Sequence, residues 1–111
     1  MQSLAYKWLA ATMSQQMLIS SLSLGAEQFT GYPANELVGR PITQILADES
    51  VFELPRMIES AGELGYWEGE IVHRTRGGQT MEARGVLSAL AGAGDISAGY
   101  LLISSFKDTG F

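Results

Sequence analysis

The chain has 111 residues, of which 46% are apolar and 17% charged, and 7 Lys and Arg against 12 Asp and Glu give a formal net charge of −5. This length fits one domain with one hydrophobic core. The sequence contains no cysteine and a single histidine, which excludes disulfides, thiolate nucleophiles, cysteine zinc sites and covalent cysteinyl cofactors. A net negative charge with scattered cations also argues against a nucleic-acid surface, because phosphate binding needs clustered Lys and Arg.

The sequence shows no targeting or membrane-spanning segment. Residues 4–13 are moderately apolar, but they carry a lysine and lead into no clear cleavage site. The run of about 20 apolar residues that a spanning helix needs does not occur. We therefore expect one cytoplasmic domain over residues 1–111, without direct membrane contact. The low charged fraction indicates that part of its surface is covered, either by a partner or by a larger protein to which the domain belongs.

Two short strands joined by a tight turn are predicted at the start of the chain. They occupy residues 6–13 and 17–22, with residues 14–16 between them. Isoleucine, threonine and serine are frequent there and the apolar spacing is irregular, which favours two strands over one helix.

Residues 23–46 predict a series of very short helices. One turn at residues 26–29 ends at Gly31, and a second has Pro33 at its first helical position and Gly39 just past its end. Pro41 then prevents continuation, and residues 42–46 form one more turn.

The longest helix is predicted within residues 50–62. Ser50 and Glu53 have the spacing of a capping box. Pro55 would remove an interior hydrogen bond from a helix that begins at Ser50. Either the helix is kinked there, or it begins near Leu54 with Pro55 in its first turn, and we favour the later start.

The remainder of the sequence predicts three strands, at residues 66–75, 80–90 and 98–107. Gly77 and Gly78 supply the positive φ angles of a tight turn between the first two, which places His73 opposite Glu82. Apolar residues then fall on both faces of this hairpin. Either a bulge breaks the alternation, or both faces are covered, the second by a partner.

The order of these elements defines the fold class. Helices grouped between the second and third of five strands imply an α+β fold, in which a five-stranded antiparallel sheet carries short helices on one face.

Two blocks of the sequence resemble PAS domains. Residues 27–41 read EQFTGYPANELVGRP and are similar to the family pattern F-x-G-Y-x-x-x-E-L-[IV]-G-[RK]. Residues 65–78 read GYWEGEIVHRTRGG and are similar to the second block, G-x-W-x-G-E followed by R-x-x-G. The resemblance covers about residues 8–108 and implies the PAS-like sheet with its helices on one face.

The resemblance also implies a function. PAS domains are sensory or dimerisation modules of bacterial-type signalling proteins, such as the sensor histidine kinases of two-component systems. The expected partners are a second copy of the chain, the output domain of the parent protein and a small ligand. A ligand or a partner would act by shifting strands one, two and five against the second copy in a dimer. The alternative is a homodimerisation domain without a ligand or a sensing role.

The residues present limit the cofactor chemistry. His73 lies on a predicted strand, whereas the resemblance implies a haem ligand on the helical side, so we expect His73 to pair with Glu82 or to be solvated. A cysteinyl flavin adduct is excluded, and the open hypotheses are a non-covalently bound flavin or no cofactor; haem and metal sites are not favoured. One histidine and no G-x-S-x-G elbow leave no nucleophile–base pair, so we expect no catalysis.

A ligand held between the sheet and the helices would contact apolar side chains of the longest helix and of the 66–90 hairpin. The predicted lining residues are Phe52, Met57, Ile58, Trp67, Ile71 and Leu87. Aromatic and methionine residues at these spacings are also typical of a packed core. For the dimer interface we predict Trp8 and Leu9.

Overall fold

The computed structural model describes residues 6–92 and 98–107. Its strands are β1 Tyr6–Met13, β2 Ile19–Leu22, β3 Tyr66–Arg74, β4 Thr80–Leu90 and β5 Gly99–Lys107. They form an antiparallel sheet in the order β2-β1-β5-β4-β3. The last strand in sequence therefore lies at the centre of the sheet, between β1 and β4, and the predicted α+β fold is confirmed.

Short helices connect β2 to β3 and cover one face of the sheet. They are α1 Ala26–Thr30, α2 Ala34–Leu37, a 3₁₀ helix Ile42–Ile45 and α3 Asp48–Leu64. As predicted, α1 ends at Gly31, whose φ of 76° is left-handed and favours glycine. Pro33 does not take the first helical position of α2, because it is extended, with ψ at 146°, and precedes the helix.

α3 begins at Asp48, and the favoured start near Leu54 is wrong. Pro55 lies in the interior of the helix. An interior proline costs a helix about 3 kcal/mol, but Leu54, Met57 and Ala61 are buried along one side of α3. This apolar packing holds the helix together through the proline, since most helical stability in proteins comes from tertiary contacts.

Ser50 does not cap the helix, contrary to the prediction from its spacing to Glu53. It lies inside α3, where it is 5% exposed, and its hydroxyl accepts a hydrogen bond from the backbone N–H of Val72 at 2.8 Å. The residue that precedes the helix is Ala47, which has no side-chain cap. Ser50 therefore ties α3 to the edge strand β3.

The loop of the β3–β4 hairpin contains residues 76–78. The backbone N–H of Thr75 donates to the carbonyl of Gln79 at 2.8 Å, and within the loop Gly78 has a positive φ, of 91°. A three-residue loop that ends in a left-handed glycine is one of the common hairpin connections. The two-residue turn that the Gly-Gly pair suggests does not form.

This loop changes the register of the hairpin by one residue from the predicted one. His73 lies opposite Met81, and Glu82 lies opposite Val72. Because successive residues of a strand point to opposite faces, His73 and Glu82 are on different sides of the sheet. The predicted His73–Glu82 pair is therefore wrong.

The two faces of the sheet differ in character. The inner face, which faces the helices, contributes buried residues from β1, β3, β4 and β5 to one core; the largest of them are Leu9, Met13, Ile71, Leu87 and Leu102. The opposite side, here called the outer face, is charged on β3 and β4, where Glu68 and Arg84 form an ion pair. On β1 and β5 the outer face carries Trp8, Ala10, Leu101 and Ile103.

Candidate functional site

A buried polar cluster lies where the 3₁₀ helix meets the sheet. The side chain of His73 on β3 is 3% exposed, and that of Ser104 on β5 is fully buried. The imidazole Nε2 lies 2.8 Å from the Ser104 hydroxyl, and Nδ1 lies 3.0 Å from the carbonyl oxygen of Ile45. One side chain thus connects β3, β5 and the 3₁₀ helix. In this arrangement, both ring nitrogens of His73 have partners.

Burial controls the charge of this histidine. Loss of solvation disfavours the cationic form and lowers the pKa of His73 from 6.5 to about 4, although the hydrogen bond with Ile45 acts in the opposite direction. The imidazole is therefore neutral at pH 7. The ring of Phe106 lies 5.2 Å from that of His73, so one side of the cluster is apolar.

The predicted ligand-lining residues are divided by the structure between the core and the surface. Met57, Ile71 and Leu87 are each 1% exposed and pack in the core, and Ile58 and Trp67 are partly buried against it. Phe52 is 83% exposed, because it projects from α3 on the side away from the buried stripe of that helix. Five of the six residues therefore belong to the core between the sheet and α3, and Phe52 is apart from them.

The two predicted interface residues lie on opposite faces of the sheet. Trp8 is on the outer face and is 56% exposed, whereas Leu9 is fully buried beneath the helices. Adjacent residues of a strand necessarily point in opposite directions, so they do not form one surface. Leu9 is a core residue, and Trp8 alone is accessible to a partner.

An open cleft of about 450 Å³ lies between α1 and the β3–β4 loop. Its α1 side includes Gln28 and Phe29, and its hairpin side includes Thr75, Gln79 and Met81. None of the predicted ligand-lining residues is among those that line it. Sequence reasoning missed this cleft, because its two sides are far apart in the chain and neither contains a recognisable motif.

The hydrogen-bond partners of His73 also could not be predicted from the sequence. Ile45 and Ser104 are separated from it by 28 and 31 residues, and no local spacing links them. One usable signal exists on β5, where the polar Ser104 stands between the inward apolar residues Leu102 and Phe106. A buried serine in such a position needs a hydrogen-bond partner.

Within residues 6–92 and 98–107, no three metal-ligating side chains form a cluster. No helix in these same ranges is long and apolar enough to cross a membrane.

A five-stranded antiparallel sheet in the order 2-1-5-4-3, with short helices covering one face, defines a small α+β domain of PAS-like architecture. The sequence profile of the PAS domain family matches residues 9–109. The chain therefore belongs to the PAS domain family, as its two sequence blocks predict. Members of this family are generally non-catalytic sensory and signalling modules that act through dimerisation or a signalling partner.

The structure is similar to the crystal structure of the PAS domain of a protein from Colwellia psychrerythraea. The TM-score is 0.81 at 19% sequence identity, over 87% of this chain and 83% of that one. At this identity the similarity concerns the fold. No match was found among curated proteins.

Proposed function

We propose that this PAS domain is the sensory and dimerisation module of a cytoplasmic signal-transduction protein, such as a sensor histidine kinase, and that it pairs with a second copy through the outer face of its sheet. The observation that carries this proposal is the position of Trp8. Its side chain is 56% exposed on the outer face of the sheet, opposite the helices that lie within residues 6–92. Large exposed aromatic residues are enriched among the anchors of protein interfaces.

The surroundings of Trp8 support a contact surface. In the register of the central strands, Ile103 lies between Ala10 on β1 and Val86 on β4, which makes a continuous apolar row next to Trp8. These three residues are half-buried, and contiguous apolar surface beside an exposed aromatic residue is typical of interaction sites, whereas isolated apolar residues are not.

The position of β5 links this surface to an output. β5 pairs with both β1 and β4, so a change in how the outer face packs would reach the central strand of the sheet. A signal then requires that the ligand or partner bind one of two arrangements more tightly than the other. The change between the two arrangements would reach the output domain of the parent protein through the residues that follow Lys107.

A ligand-free homodimerisation domain remains the second candidate, and the packing of the core supports it. Met57, Ile71 and Leu87 fill the space between the sheet and α3 with side chains that are each 1% exposed. An absorption spectrum and a native mass of the protein purified from its host separate the two candidates. A chromophore, or a mass greater than that of the polypeptide, favours sensing. A mass equal to that of the polypeptide alone favours dimerisation without a ligand.

The dimer is tested by sedimentation velocity at micromolar concentration. We expect the unaltered domain and the control variant Phe52→Glu to sediment as dimers, and Trp8→Glu to sediment as a monomer. Phe52 is a suitable control because it is an exposed aromatic residue of α3, on the other side of the molecule from the outer face. A monomeric unaltered domain, or a dimeric Trp8→Glu variant, contradicts the proposal.

A further inference from the structure

We infer that the cleft between α1 and the β3–β4 loop is a binding site for a small, uncharged, planar heterocycle that carries an amide-like hydrogen-bonding edge. The inference rests on the sensory role proposed above and names the ligand class that such a role would use. Four observations carry it: the fixed geometry of the cleft, its uncharged lining, its aromatic floor and the contact of that floor with β5.

The two walls of the cleft are held at a fixed separation by Arg76. Its backbone N–H donates to the carbonyl of Thr30, at the end of α1, at 2.7 Å. Its guanidinium lies over the ring of Tyr32, 5.6 Å from the centroid, and forms an ion pair with Glu36 at 3.6 Å. A cleft braced in this way exists before any ligand arrives, which reduces the entropic cost of binding.

The lining of the cleft selects an uncharged ligand. Among the residues that the structure describes, those that line the cleft are all uncharged. The positive charge of the nearby Arg76 is balanced by its ion pair with Glu36. A carboxylate or an ammonium group that entered the cleft would lose water without gaining a charged partner, which is unfavourable.

The polar groups of the cleft fit an amide-like edge. Gln28 on one wall and Gln79 on the other each offer both a donor and an acceptor. The hydroxyl of Thr75 accepts a hydrogen bond from the N–H of Gln79 at 3.2 Å, so its own hydrogen remains available as a donor. Lactams, ureas, carboxamides and nucleobases present the adjacent donors and acceptors that match such a set.

The floor of the cleft fits a flat ring. Phe29 and Met81 supply its apolar surface, and aromatic rings and thioether sulfurs both pack well against aromatic faces. The volume of about 450 Å³ lies within the range of about 300–1,000 Å³ that is typical of small-molecule sites. A ligand with one or two rings is therefore of suitable size.

The floor is connected to the central strand through an aromatic contact. Phe29 stacks on Phe106 of β5, with ring centroids 4.6 Å apart and an angle of 21° between the planes. Phe106 in turn lies against His73. A ligand that presses on Phe29 therefore acts on the end of β5 through a direct contact.

The test is a titration of the 111-residue domain, followed in ¹H–¹⁵N correlation spectra. The probes are nicotinamide and uracil, with nicotinate as the charged counterpart of nicotinamide. We expect both neutral probes to shift the amide signals of Gly31, Thr75 and Met81, and nicotinate to bind at least about tenfold more weakly than nicotinamide. The inference is overturned if neither neutral probe shifts these signals at millimolar concentration, or if nicotinate binds as well as nicotinamide.

Variants locate the site independently. The double variant Gln28→Ala, Gln79→Ala should weaken binding of the neutral probes about tenfold, which is the effect expected for two lost hydrogen bonds. Gln16→Ala, which removes an exposed glutamine in the β1–β2 turn, should leave binding unchanged. Equal affinities of the double variant and the unaltered domain would also overturn the inference. If the cleft binds the probes but the signals of Ser105 and Phe106 and the oligomeric state stay constant, the site stands and the sensory relay fails.

Discussion

The imidazole of His73 and the hydroxyl of Ser104 form a hydrogen bond of 2.8 Å inside the core. The second ring nitrogen faces the carbonyl of Ile45, which can only accept, so Nδ1 carries the proton and Nε2 accepts from Ser104. The neutral Nδ1–H tautomer thus satisfies every polar atom of the cluster. The pair joins β3 to β5 across the intervening strand β4.

This cluster makes the stability of the domain depend on pH. Because the pKa of His73 is about 4 in the folded state and 6.5 in its ordinary state, the unfolded chain binds more protons between these values. Stability therefore rises with pH across this window, and acidification from about pH 7 to about pH 4 should cost about 3 kcal/mol through this group. Urea denaturation at the two pH values measures the effect.

The variant His73→Gln isolates the contribution of the imidazole to that change. Glutamine can hydrogen-bond to Ser104 and Ile45 but does not titrate, while the carboxylates of the chain titrate in both proteins. We expect the variant to lose about 3 kcal/mol less than the unaltered domain on acidification. Parallel losses in the two proteins would show that His73 is not protonated on unfolding in this range.

Removal of the Ser104 hydroxyl should destabilise the fold. Ser104→Ala leaves Nε2 of a buried histidine without a partner, which should lower the free energy of unfolding by about 1–3 kcal/mol. Ser105→Ala is the matched control, because Ser105 is the next residue, is only partly buried and points to the outer face. Its effect should stay within about 0.5 kcal/mol, and a loss as large as that of Ser104→Ala would argue against the hydrogen bond as the cause.

The order and type of the elements could be predicted from the sequence because they depend on local signals. Glycines and prolines separate the short helices, and apolar periodicity marks the strands. The register of the β3–β4 hairpin could not be predicted, since Gly77-Gly78 suits both a two-residue turn and the left-handed end of a longer loop. The choice depends on the Thr75–Gln79 hydrogen bond, which is a property of the folded hairpin.

That single step in register explains why the sequence pattern places apolar residues of β3 and β4 on different faces. In the observed register Trp67, Ile71, Ala83 and Leu87 share the inner face, and the apparent two-sided apolar pattern of β3 and β4 largely disappears. A bulge in the hairpin is not needed, because the pairing from β3 to β4 is continuous. The same step places Glu82 on the opposite side of the sheet from His73. His73 itself lies on the inner face with Trp67 and Ile71, where its partners come from distant segments.

Pro55 offers a test of the packing that maintains α3. Pro55→Ala restores an interior N–H and removes the ring from the preceding turn, so it should raise the free energy of unfolding by about 1–3 kcal/mol. Pro41, which is also exposed, has φ at −64° in an extended segment that suits proline. Pro41→Ala should therefore lower stability by about 0.4–1 kcal/mol through the unfolded state. Chemical denaturation shows whether each variant has a higher or a lower free energy of unfolding than the unaltered domain. A destabilised Pro55→Ala variant would contradict the helix as described.

Two glycines that face each other on the inner side of the sheet create space for larger neighbours. Gly69 and Gly85 are paired across β3 and β4. A Cβ on Gly69 would lie 2.7 Å from the ring of Trp67, and one on Gly85 would lie 2.9 Å from Ile71. Both distances are too short for a carbon contact, so the glycines allow the indole and the isoleucine to pack flat against the strands.

Gly69→Ala should accordingly destabilise the domain by about 1–3 kcal/mol, as is usual for overpacking in a core. Gly62→Ala is the opposite case, since Gly62 lies in α3 and a Cβ there meets nothing within 4 Å. That change should stabilise the helix by about 0.5–1 kcal/mol. Thermal or urea unfolding of both variants, with tryptophan fluorescence as the probe, tests the pair. If Gly69→Ala were as stable as the unaltered domain, the indole of Trp67 would not be confined against this strand.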